Sequence, residues 1–294
     1  MSGLRRVDLA QRCLLAITGD DRRDFLQGLI TADLRLLSAR RALWGALLTP
    51  QGKYLFDFFL LEPDDGRFLL EADARRAPAL VRRLSMYRLR ARVDIGEPDE
   101  ESRVIAIMGE EAPARFGLPP EPGAARPLDG GVLFVDPRHP GMGLRLVLPG
   151  GAALPDAIAA LEEGGTELYE ERRLSLGIPE TADLLPEKSL PLEYNFAELG
   201  GVSFDKGCYI GQEVTARMKH RGRLRKRLLP AEVEGAAASG EPVLAPDGRE
   251  AGELRSVHGC RALALLRLDH LGQDLRAGEA TIRPSWPAWL KEKE

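Results

Sequence analysis

The chain has 294 residues, 29% of them charged and 44% hydrophobic, and a formal net charge of −4. That is the profile of a globular protein of two or three domains, and its mild acidity argues against nucleic acid as a partner. The 31 Gly and 21 Pro follow no period, which excludes collagen-like and low-complexity architectures, and the longest apolar stretch, Tyr54–Leu61, is broken by Asp57, so no membrane span is expected.

A strand is expected over Arg12–Thr18, then a helix begun by Asp20 or Asp21, short carboxylates that accept first-turn amide protons. Phe25, Leu26, Leu29, Ile30 and Leu34 recur at helical spacing and give that helix a core face. Arg41–Leu48 and Tyr54–Glu62 read as strands joined by the turn Thr49-Pro-Gln-Gly-Lys53, and Arg67–Glu71 as a third. Ala74–Tyr87 reads as a helix and Arg90–Ile95 as a strand. The Gly/Pro-rich tract from Glu110 to Gly131 reads as loop. Val132–Asp136 and Gly143–Leu148 read as strands, and Leu154–Glu162 and Thr166–Leu176 as helices, the second stopped by Gly177 and Pro179. Pro179–Phe204 is irregular, a short helix starts near Gln212, and from about Arg225 short strands and Gly-rich turns announce a small all-β module.

Arg5, Arg6 and Arg12 precede an apolar run, but Asp8 interrupts it, so neither a transit nor a signal peptide is expected. Cys13, Cys208 and Cys260 are odd in number, far apart and form no CxxC pair, which suits a reducing, cytoplasmic setting. Cys13 sits in an apolar strand. Cys260 with His258 would supply half a metal site, and no second half is visible.

The densest chemical signal is Phe204-Asp-Lys-Gly-Cys-Tyr-Ile-Gly-Gln-Glu-Val-Thr-Ala-Arg217. Gly207 and Gly211 bracket Cys208, which would lie just before a helix N-terminus, where partial positive charge favours a thiolate. Lys206 adds a full charge acting in the same direction, and Glu213 could orient Lys206 or Arg217. Such a thiolate can attack an electrophile, contact iron or a cluster transiently, or be oxidised; the plain alternative is a small buried Cys in a glycine-shaped turn. Seven of the eleven residues Arg217–Arg227 are Lys or Arg, either an anion-binding strip or a solvated helix end. Asp57 either faces a pocket as a ligand acceptor or meets water at a strand end. Tyr87 and Arg90 offer a ring and a guanidinium for stacking or carboxylate binding, or are simple surface charge.

Lys206-Gly-Cys-Tyr-Ile-Gly-Gln-Glu213, with Val214–Gly222 after it, resembles the signature of YgfZ-type folate-binding proteins. These are relatives of the glycine-cleavage T-protein, an aminomethyltransferase, and include mitochondrial iron–sulfur assembly factors. Ile17–Asp33, Thr49-Pro-Gln-Gly-Lys53 with Asp57, Met86-Tyr-Arg-Leu-Arg90 and Arg173-Leu-Ser-Leu-Gly-Ile-Pro-Glu180 are similar to the same family, in order along most of the chain. The resemblance implies an α+β, three-part cloverleaf-like fold with a small C-terminal β-barrel. It implies a folate-binding-like region over 1–222, two intertwined subdomains split near 50 and 140, and the barrel over 223–294. It implies tetrahydrofolate as ligand and a role in assembly or repair of iron–sulfur clusters, with iron–sulfur enzymes or assembly proteins as partners. Lys206, Gly207, Cys208, Tyr209, Gly211, Gln212 and Glu213 carry over as signature residues, Cys208 as the functional thiol; Asp57, Tyr87, Arg90, Gln212 and Arg217 are the folate-side candidates. No resident metal is implied, because a lone Cys cannot hold a four-iron cluster. Where the T-protein keeps a pterin-contacting glutamate this chain has Ser175, which argues against aminomethyl transfer. The alternatives are a tetrahydrofolate-dependent one-carbon transferase or demethylase and a non-catalytic interaction scaffold.

Overall fold

The computed structural model describes residues 3–222 and 224–290. The chain opens with β1 (Arg5–Asp8) and β2 (Arg12–Thr18), followed by the short helix α1 (Arg22–Gln27). Asp21 stands at the start of α1 but does not cap it with its side chain. Its carboxylate instead accepts from the backbone amide of Arg92 at 2.8 Å and from that guanidinium at 3.1 Å. A tertiary ion pair has thus displaced the expected local cap.

Three strands come next, β3 (Leu43–Leu48), β4 (Tyr54–Leu61) and β5 (Phe68–Asp73), the last two paired antiparallel. Helix α2 (Ala77–Arg88) buries Leu80, Val81 and Leu84. The strand expected over Arg90–Ile95 shrinks to β6 (Asp94–Ile95), since Ala91 donates back to the Arg88 carbonyl at 2.8 Å and the chain turns rather than extends. These strands form a five-stranded sheet in the order β3-β4-β5-β2-β6.

A strand not expected from the sequence, β7 (Arg103–Met108), leads to a second sheet. The Gly/Pro tract expected as loop contains α3 (Ala112–Arg115) and β8 (Ala125–Leu128), and β9 (Gly131–Val135) and β10 (Leu144–Leu148) follow. The helix expected over Leu154–Glu162 reduces to α4 (Asp156–Ala159), and Glu162–Glu163 pairs as β11. The resulting six-stranded sheet runs β11-β1-β7-β10-β9-β8. Ile105, Ile107, Leu133, Val135, Leu144 and Leu146 form its apolar face with Ala112, Phe116 and Ile158.

A buried charge network ties the two sheets together. Arg12 on β2 donates to Glu71 on β5 at 2.7 Å, and Arg145 on β10 reaches the same carboxylate at 2.9 Å. Arg145 also meets Asp136 at 3.2 Å, which Arg138 grips at 2.7 Å. Both arginines bond the Tyr169 hydroxyl and lie over the Phe59 ring. Burial alone would raise the Asp136 pKa, but the Arg138 and Arg145 charges outweigh it and hold the carboxyl below its ordinary range.

Apart from Tyr54 and Leu55 of β4, both sheets belong to the first of two compact units, which takes the chain up to Leu48, Phe56–Tyr169 and Leu199–Ile210. The second takes Thr49–Leu55, Glu170–Glu198 and the chain from Gly211 onward. It contains α5 (Thr166–Leu176) from Glu170 on, α6 (Gln212–Arg221), and six strands: β12 (Lys226–Glu234), β13 (Pro242–Leu244), β14 (Glu250–His258), β15 (Arg261–Arg267), β16 (Leu275–Ala277) and β17 (Ala280–Pro284). These six close into the expected barrel, in the order β12-β15-β14-β13-β16-β17, around Val243, Leu254, Leu266, Leu275 and Ile282. The fold is α+β. Among the described residues no helix is long and apolar enough to cross a membrane.

Candidate functional site

The site is built from the turn after α1 and the segment Leu199–Ile210, both in the first unit. Thr31 lies inside an apolar run yet is fully buried, so its polar atoms need partners. Its hydroxyl donates to the Gly201 carbonyl at 2.6 Å, and its own carbonyl accepts from the Ser203 amide at 2.9 Å. Arg35 donates to the Asp205 carbonyl at 3.0 Å. Lys206 completes the attachment, its ammonium donating to the carbonyls of Ile30 and Ala32, each at 2.7 Å. The same ammonium lies 5.2 Å from the Tyr209 ring. Burial lowers the Lys206 pKa to about 8, against an opposing pull from Asp33. Arg35 in turn holds the Asp33 carboxyl well below the usual carboxylate range, with Gln27 adding a hydrogen bond at 3.0 Å.

Lys206 and Tyr209 are therefore buried anchors, and Gly207 and Cys208 between them are exposed. Gly207 has no positive φ, and a Cβ added there would meet no atom within 4 Å. Neither conformation nor packing requires a glycine there. The other thiols differ. Cys13 is buried in β2, and burial pushes its pKa up to about 11, so it is inert. Cys260 is exposed in the β14–β15 hairpin. Among the described residues no group of three or more His, Cys, Asp and Glu side chains could hold a metal ion.

The remaining candidates fall in several places. Asp57, on β4, is buried rather than facing water, and accepts from the Trp44 indole at 3.3 Å. Tyr87 is half-buried near the end of α2, and Arg90 just beyond it is exposed. Gln212, Glu213 and Arg217 belong to α6, in the second unit. Gly211 starts that helix with φ +85°. Glu213 pairs with Arg217 at 2.6 Å on an exposed face, an ion pair of small energetic weight. The basic run beyond is not uniform. Lys219 and His220 are exposed, and Arg227 is buried against Asn195 at 2.6 Å and Glu198 at 3.2 Å. Arg223 and the Arg221 side chain lie outside the described residues. Ser175, on α5, donates its hydroxyl proton to the Arg172 carbonyl at 2.7 Å, which leaves a neutral acceptor at that position.

Thr31, Asp33 and Gln27 are site-building residues that the sequence reading left without a role. Their signal was two buried polar side chains, Thr31 and Asp33, inside the run Leu29–Leu34.

The fold is that of the aminomethyltransferase T of the glycine cleavage system. The crystal structure of that protein from Bartonella henselae superposes with a TM-score of 0.77, at 17% identity, over 98% of this chain and 87% of that one. Residues 225–292 match the CAF17 C-terminal beta-barrel domain family. The chain is 37% identical to the mitochondrial iron-sulfur cluster assembly factor IBA57 of Homo sapiens, over 95% of this chain and 83% of the human protein. It is also 37% identical to the Mus musculus counterpart, over 95% of this chain and 85% of the mouse protein. The chain belongs to the IBA57 family of iron–sulfur cluster assembly factors. One expectation is corrected by these relatives: they are named as mitochondrial, which overturns the cytoplasmic placement drawn from cysteine usage.

Proposed function

We propose that this chain is a tetrahydrofolate-binding accessory factor in the assembly or repair of iron–sulfur clusters, akin to the YgfZ-type proteins, and that Cys208 is its contact with the cluster or a sulfur donor. The observation that carries this reading is an exposed thiol on a segment fixed by buried Lys206 and Tyr209. A single protein thiolate falls short of the four that a [4Fe–4S] cluster takes. The cluster is cargo shared with an iron–sulfur enzyme or assembly protein that brings the other ligands.

The folate half of the reading rests on Asp57. A carboxylate buried beside the Trp44 indole has the acceptor chemistry and the flat apolar neighbour that a reduced pterin's N–H groups and ring would use. Bound tetrahydrofolate would supply a one-carbon carrier. Tyr87 and Arg90 would lie toward its aminobenzoyl and glutamate parts, and Gln212 and Arg217 are further candidates. Ser175, a neutral acceptor, weakens the hold and argues against aminomethyl transfer as the reaction.

Two measurements test the reading. Cells lacking the gene and carrying Cys208→Ser should lose four-iron enzyme activity under oxidative stress to the level of the deletion; wild-type activity overturns the role of the thiol. Calorimetric titration with tetrahydrofolate should show binding by the wild type and Cys208→Ser and none by Asp57→Ala. Equal binding by Asp57→Ala removes the carboxylate from the site.

A further inference from the structure

Residues 74–93 contain seven arginines and no Asp or Glu, in a chain whose net charge is −4. Most of this segment is helix α2, which turns Leu80, Val81 and Leu84 inward. Arg82, Ser85 and Met86 share the opposite, solvent-facing side, and Leu89 follows at the helix end.

Two of these residues are out of place on ordinary grounds. Met86 is 68% exposed and Leu89 89%, the two most exposed large apolar side chains among the described residues. Leu89 also adopts φ +44° and ψ −108°, a backbone conformation disfavoured for a side chain that carries a Cβ. The strain has no compensation inside the molecule, because the leucine packs against almost nothing.

The surrounding charge is only partly neutralised within the chain. Arg92 pairs with Asp20 and Asp21, Arg88 with Asp94 at 3.7 Å, and Arg76 lies over the Phe56 ring. Arg82, Arg83 and Arg90 have no carboxylate partner among the described residues. Two apolar side chains thus stand out from a field of uncompensated guanidinium groups.

We propose that the C-terminal end of α2 is a docking face for an acidic amphipathic helix of a partner protein, its apolar stripe on Met86 and Leu89 and its carboxylates on Arg82 and Arg83. Charge complementarity selects the acidic partner. The small apolar area selects a protein over a membrane: only two side chains project, and the rest of the apolar residues of α2 are buried, whereas surface anchoring in lipid needs a broad apolar face. The proposal concerns this face alone and holds whether or not folate binds at Asp57.

The test is fluorescence anisotropy of the full chain with a labelled synthetic peptide, a Glu-rich helix carrying one Leu stripe. A scrambled peptide of the same composition and phosphatidylserine vesicles are run beside it. The wild type should bind the striped peptide and neither control. Binding should weaken about tenfold in Met86→Ser/Leu89→Ser and likewise in Arg82→Glu/Arg83→Glu. Leu89→Gly should weaken binding and raise the melting temperature, because glycine relieves the positive φ and no packing is lost. That pair of readouts separates docking from a structural role. The proposal is overturned by a striped peptide that does not bind, by equal binding of the scrambled peptide, by affinities unchanged in the variants, or by vesicle binding that depends on the same residues.

Discussion

Lys206 carries the charge nearest to Cys208 in sequence, and its geometry assigns it a holding role. The ammonium is committed to the carbonyls of Ile30 and Ala32. With its pKa lowered from 10.5 to about 8, the folded chain binds fewer protons at this site than the unfolded chain between those two values. Stability therefore rises with pH across that window and levels off above it, by about 3 kcal/mol for a shift of this size. Lys206→Met removes the titration while keeping most of the bulk. Urea unfolding of both proteins at pH 8 and at pH 10.5 should show the stability gap between wild type and variant widening with pH. A gap that stays constant would mean that the amine is as well solvated in the folded chain as in the unfolded one. The Cys208 motif itself was legible in the sequence because its glycines, cysteine and charges are contiguous. The direction of Lys206 was not, because it is set by two carbonyls more than 170 residues away in the chain.

At the scale of elements, the strands and helices with a strong local pattern were readable. β2 (Arg12–Thr18) and α5 (Thr166–Leu176) fall where apolar alternation and the Gly177–Pro179 stop put them. β1 was not readable: of its four residues only Val7 is fully buried, and its pairing comes from Met108 and Glu162, distant in sequence. β7 is a continuous apolar run with five of six residues buried, a pattern that carries no period to distinguish strand from helix. The start of α6 was readable from Gly211, but its support was not. That support is the turn Thr49–Lys53, where Gly52 has φ +72° and an added Cβ would lie 3.0 Å from Val214 Cβ and 3.2 Å from the Gly211 carbonyl oxygen. Gly248→Ala, where φ is +81° and an added Cβ meets nothing within 4 Å, carries only the penalty of a positive φ, about 1–2 kcal/mol. Gly52→Ala meets the same penalty plus the collision with α6. Denaturant midpoints should therefore fall further for Gly52→Ala than for Gly248→Ala; equal losses would show that Val214 yields without cost.

For the whole molecule, the question is whether the barrel is an independent appendage, as its distinct composition suggests. Its interior is self-sufficient, but its side chains reach outside it to Asp183, in the irregular stretch that sequence reading left undescribed. The buried Asp183 carboxylate accepts from Arg173 at 2.8 Å, from the Ser256 hydroxyl at 2.6 Å and from the Glu180 amide at 2.8 Å. Arg255 donates to the Asp183 carbonyl at 2.7 Å, and Asn195 bonds the Leu228 carbonyl at 2.8 Å. Ser256 and Arg255 lie on β14 and Leu228 on β12, so the barrel wall is fastened to Glu170–Glu198 within the second unit. Asp183→Ala leaves buried Arg173 with Glu170 as its remaining carboxylate and strands the Ser256 and Glu180 donors, and should destabilise the chain by about 3 kcal/mol. Ser256→Ala removes two hydrogen bonds, the one its hydroxyl donates to Asp183 and the one it accepts from Arg173 at 2.9 Å, and should cost about 1–3 kcal/mol. If the fastening sets the stability of the barrel, a fragment of residues 224–294 should unfold at lower denaturant than one that begins at Glu170. It should also be indifferent to Ser256→Ala, since the Asp183 acceptor is no longer there. Equal midpoints for the two fragments would make the barrel autonomous and the buried Asp183 contacts incidental to it.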